Sequence, residues 1–166
     1  MALSDEEAEE RLNFIESVFR GADMMSDRSI VITCAAGLEA CTIKILSAHI
    51  NNECRPKDLF SGPTAPFGTF SARITISLAL GLISKSEADA LNLVRSVRNK
   101  FAHEIDASFE NEKIVKLCGK SKVLDDRMIL RDEFHHMSMN ILTKLVYRDL
   151  ELLESSTGYC RATSRT

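Results

Sequence analysis

Tryptophan is absent from these 166 residues, tyrosine occurs twice, proline three times and glycine seven times. So little turn chemistry argues against a sheet architecture built from tight turns and leaves helices as the expected fabric. A basic excess is missing too. Lys and Arg number 21 against 24 Asp and Glu, a formal net charge of -3, whereas tight autonomous binding of duplex DNA needs a surface that neutralises phosphates. Nucleic-acid contact by the chain alone is therefore expected to be weak. The cysteines Cys34, Cys41, Cys54, Cys118 and Cys160 are odd in number and lack CxxC spacing, which reads as reduced thiols rather than a disulfide framework or a zinc site. The chain opens MALSDEEAEE without an apolar leader, and no uninterrupted apolar run looks long enough to span a membrane. A cytoplasmic protein without a membrane partner is expected, holding no metal and no cofactor.

What is present is helical periodicity. Ser4 and Glu7 fit a capping box ahead of Leu12, Ile15, Val18 and Phe19, with Gly21 as the stop. Ser26 and Asp27 open the longest periodic segment, through Ile30, Val31, Cys34, Leu38, Cys41, Ile45 and Leu46 to Ile50, the predicted central helix. Residues 51–66 hold Pro56, Gly62, Pro63 and Pro66 and form a connection. Phe67, Phe70, Ile74, Leu78 and Leu82 resume the spacing, and Ser84 with Glu87 makes another capping box. A short helix is expected over 110–117, a short strand is conceivable at 122–124, and a long closing helix is predicted over 130–154. The whole predicts one all-α domain over residues 1–154, an antiparallel multi-helix bundle around a long central helix, followed by a disordered polar tail over 155–166.

Chemistry concentrates in LNLVRSVRNKFAHE, residues 91–104. At about 100° per residue, Leu91, Leu93, Val94, Val97 and Phe101 share one arc, while Asn92, Arg95, Asn99 and His103 share the other. Arg98 lies on the flank, where its stem can be buried while its guanidinium swings to the polar stripe. Glu39 sits among small and apolar residues (AAGLEACTIKIL), where a carboxylate is costly without a cation. Its two readings are a solvated position, or a pairing with Arg73 or with Arg95, Arg98 and His103. His135 and His136 project in different directions on a helix and cannot jointly hold a metal without outside ligands. Lys113, Lys116, Lys120 and Lys122 form the most basic local stretch, without a helix-turn-helix pattern to use it on DNA.

Two resemblances meet on these residues. The phrase PFGTFSARITISLALGLISKSEADALNLVRSVRNKFAH, residues 66–103, resembles the central region of the mannitol operon repressor family, and SDRSIVITCAAGLEACTIKIL resembles that family's helix carrying a conspicuous Glu, here Glu39. In that family an acidic residue typically follows the arginine and an Asn precedes the histidine, where this chain has Asn99 and Ala102. RNKFAH is also similar to the R-polar-x-x-x-H signature of HEPN domains, which Arg98, Asn99 and His103 match.

The first resemblance implies a transcriptional regulator that works as a helical interaction module through protein partners. The second implies a metal-independent ribonuclease or RNA-binding module with Arg98, Asn99 and His103 catalytic. Glu39, Arg73 and Arg95 are then the candidate binding or interface residues. The polar stripe opposite the core also predicts a homodimer. Whether the chain is an enzyme stays open at this point, with the regulator reading preferred.

Overall fold

The structure, a computed structural model, describes residues 5–50, 59–119 and 130–163. Among these residues it contains six α-helices and no strand: α1 (Asp5–Phe19), α2 (Asp27–His49), α3 (Phe70–Ala79), α4 (Lys85–His103), α5 (Glu112–Gly119) and α6 (Leu130–Thr163). The 3-10 turn Ala22–Met24 joins α1 to α2. The strand expected at 122–124 and the Ser4 cap lie outside the described residues.

Local chemistry explains most helix ends. Gly21 adopts φ 73°, ending α1 in the left-handed region that a Cβ disfavours. The Ser26 hydroxyl accepts from the Ser29 N–H at the start of α2, and Thr69 does the same for Ala72 at the start of α3. At α4 the capping box is complete: Ser84 N–H donates to Glu87 Oε2 at 2.7 Å, and Glu87 N–H to Ser84 Oγ at 3.3 Å. The short helix begins two residues later than the predicted 110, because the Asn111 side chain accepts from the Lys113 N–H at 3.0 Å and so serves as its cap. α6 remains helical beyond Glu154, where its spacing predicts the end.

α2 is the central helix, packing against α1, α3, α4 and α6. By length and composition it could cross a membrane, contrary to the expectation that no segment is long and apolar enough, but 56% of its most apolar window is buried inside the bundle. Neighbouring helices mostly run antiparallel: Val18 of α1 meets Gly37 of α2 while Phe14 meets Lys44 further along it, and Glu87 near the start of α4 pairs with Arg148 of α6 whereas Phe101 near its end stacks through Phe109 towards Phe134. One pairing departs from the antiparallel expectation. Asp27 meets Arg131, Cys34 meets Ser138 and Gly37 meets Leu142, so α2 and α6 run parallel, both starting at the same end of the bundle. The core joins Ile30, Leu38, Ile45 and Leu46 of α2 to Leu91, Val94 and Phe101 of α4 and to Phe134, Leu142 and Leu145 of α6. Burial pushes the Cys34 and Cys118 thiols up to about 11, so both behave as small apolar groups.

Candidate functional site

The capping box sets where α4 begins, and its apolar arc sets which way it faces. Leu91, Leu93, Val94, Val97 and Phe101 are all buried, so Asn92, Arg95, Asn99 and His103 fall on the outer side, the first three half-buried and His103 exposed. The start of α4 is also held tertiarily: Arg148 of α6 donates to Glu87 Oε2 at 2.7 Å and to the Leu82 carbonyl at 3.2 Å. Burial alone would raise the Glu87 carboxyl. The Arg148 guanidinium and the Ser84 donors outweigh it and hold that carboxyl below its ordinary value.

Glu39 takes the paired reading. Its Oε1 is bound by the Arg73 guanidinium, and its Oε2 lies 3.4 Å from Arg98 Nη2. Arg73 is buried at 4% exposure and its Nε also donates to the Thr69 carbonyl at 3.3 Å, whereas Glu39 and Arg98 are half-buried. Arg98 Nη1 donates to Asn99 Oδ1 at 3.1 Å. One carboxylate from the middle of α2 thus ties α3 to α4 and occupies the cation of the RNKFAH motif. Arg95 stays outside this cluster, donating to Asn92 Oδ1 at 3.4 Å, and the His103 imidazole makes no hydrogen bond among the described residues. An ideal helix separates Arg98 from His103 by roughly 140°.

Arg28 was not among the candidates. Its guanidinium reaches from the first turn of α2 to the end of α4, donating to the carbonyls of Phe101, Glu104 at 2.8 Å and Ile105 at 2.9 Å. It therefore caps the motif helix with a cation at the negative end of its dipole and fixes the turn that bears His103. The sequence held one signal: an Arg in the first turn of a helix opposes that helix's own dipole, so its charge belongs elsewhere. The basic stretch disperses into ion pairs, Lys113 with Glu104 at 3.6 Å and Lys116 with Glu112 at 2.5 Å, while Lys120 and Lys122 lie outside the described residues. Among the described residues no group of three His, Cys, Asp or Glu side chains could hold a metal ion.

Fold and site together define an all-helical module whose motif helix is held by arginine cross-links at both ends and by Glu39 in between. No protein-family model matches the chain, and no curated protein matches it in sequence. In three dimensions it is similar to a chain in the X-ray structure of the MtlR-HPr complex from Escherichia coli, with a TM-score of 0.57 and 16% identity over 82% of this chain and 98% of that one. At that identity the likeness is one of fold.

Proposed function

We propose that this chain is a transcriptional regulator in the manner of the mannitol operon repressor family, a cytoplasmic helical module that acts through protein contacts without a DNA-binding motif of its own. The observation that carries this reading over catalysis is the engagement of Arg98: its Nη1 donates to Asn99 and its Nη2 faces Glu39, so a phosphate would have to compete with a carboxylate for the guanidinium. The shared fold with a chain solved as a complex with HPr supports a protein as partner, and an HPr-type protein is the one to test. Calorimetric titration of the purified chain with HPr from the same cells should show saturable micromolar binding. Removing the gene should change the mannitol-operon transcript. Neither effect appearing would overturn the reading.

A second reading, an HEPN-type ribonuclease or RNA-binding module, is favoured by the exposure of His103 close behind Arg98 and Asn99. In that chemistry a ribose 2′-hydroxyl attacks the adjacent phosphate and the 5′-oxygen of the next nucleotide leaves, giving a 2′,3′-cyclic phosphate, with His103 moving the proton, Arg98 stabilising the phosphorane and Asn99 orienting either the imidazole or the phosphate. His103→Ala would then lower single-turnover RNA cleavage about a hundredfold at unchanged melting temperature. A wild-type protein that neither cleaves nor binds RNA rules this reading out, and one that binds without cleaving leaves only the binding module.

A further inference from the structure

Two apolar side chains stand almost entirely in solvent, Met24 at 92% exposure and Ile105 at 98%. A single exposed hydrophobe needs no explanation. These two share one end of the bundle, and each sits in a turn whose backbone is fastened from below. Arg131 Nη2 donates to the carbonyls of Ala22 at 3.1 Å and Met25 at 2.7 Å, bracketing Met24. Arg28 Nη2 donates to those of Glu104 and Ile105. Asp27 joins the two turns, accepting from Arg131 Nε at 3.1 Å through one oxygen and from the Phe109 N–H at 3.1 Å through the other.

Among the described residues the two turns themselves carry only acidic charge, with Arg20, His103 and Lys113 flanking them. Asp23, Asp106 and Glu110 are exposed, and none of them pairs with Lys or Arg among the described residues. Neither GADMMSD (21–27) nor EIDASFENE (104–112) contains a basic residue. The guanidiniums beneath, Arg28 and Arg131, are directed at backbone carbonyls and Asp27. The surface thus presents two apolar knobs on turns already ordered before any encounter, which lowers the conformational cost of docking, beside the exposed carboxylates of Asp23, Asp106 and Glu110, which steer and select by charge.

We propose that this end of the bundle is the docking surface for a protein partner that offers a shallow apolar depression ringed by Lys and Arg side chains. The proposal rests on the reading that the chain acts through protein contacts, and it specifies the face used. The experiment compares wild type with Met24→Ser/Ile105→Ser and with Asp23→Lys/Asp106→Lys in calorimetric titration against the partner protein of the preceding subsection. Each double variant should weaken binding about tenfold or more with an unchanged melting temperature, since all four side chains are exposed, and wild-type affinity should fall with added salt. Wild-type binding that survives both variants within about twofold overturns this surface while leaving the functional reading in place. Failure of the wild type to bind overturns both.

Discussion

Glu39 serves its two arginines unequally. Arg73 is buried, so removing the carboxylate would strand a cation away from water, whereas Arg98 is a third exposed and can be solvated. Glu39→Ala should therefore lower stability by about 2–4 kcal/mol, and Arg98→Ala by about 1 kcal/mol or less, as read from urea unfolding. Equal losses would mean that Arg98, not Arg73, is the anchor of the cluster. His135 supplies a second test at this scale. Burial lowers its pKa from its ordinary value near 6.5, helped by His136 and Arg131 and opposed by Asp23 and Asp132. Its ring stacks edge-on against Phe19 of α1 at 5.2 Å. A depressed folded pKa means that the unfolded chain takes up the proton first. The stability associated with neutral His135 is then present above pH 6.5 and is lost as pH falls through the folded value. Melting temperature should decline from pH 7 to pH 5 in wild type, and His135→Phe should flatten that decline while keeping the contact with Phe19. An unchanged slope would assign the acid sensitivity to other groups.

At the scale of elements, α1 buries little of its own surface. Of its described side chains only Val18 is buried, and Val18 packs on Gly37 of α2. A Cβ at Gly37 would come within 2.9 Å of Val18 Cγ2 and 3.4 Å of Leu142 Cδ1, and a valine cannot rotate away cheaply. Gly37→Ala should gain about 1 kcal/mol of helix propensity in α2 and lose about 1–3 kcal/mol to overpacking. The loss should appear as faster amide exchange in α1 with α2 and α4 still protected; uniform loss of protection would mean that α1 is integral to the core. Sequence spacing reached the helices because each amphipathic stripe is local, as in α4, where Ser84, Glu87 and the Leu91 to Phe101 arc suffice. It held the pairing of Glu39 with arginine as one of two readings, because a carboxylate among apolar residues needs either solvent or a cation nearby. It could not reach Arg28 binding the end of α4 or Arg131 binding the turn at Met24. Those bonds span 73 to 109 residues and depend on α2 and α6 starting at the same end, a relation that no periodicity encodes.

For the whole molecule, the distribution of apolar surface around α2 bears on assembly. The buried share of its most apolar window leaves the remainder outside this core, and Ile32, at 41% exposure, and Ala36 lie on that outward side. Glu39, on the same helix, reaches Arg98, so this face adjoins the α4 stripe of Arg95, Asn99 and His103. Apolar residues exposed beside half-satisfied polar ones are the composition of an interface centre with its rim, and a patch that packs on its own copy closes about a two-fold axis. We predict a homodimer at micromolar concentration, with the two copies of Arg95, Asn99 and His103 near one another across that axis. Ile32→Glu would put two carboxylates at the centre of such an interface and should shift light scattering to a monomer of 18.5 kDa. Because Ile32 contributes little to the core of its own chain, the variant should keep its helical content. A wild-type monomer across that range would remove the dimer, and a variant that stays dimeric would move the interface away from α2.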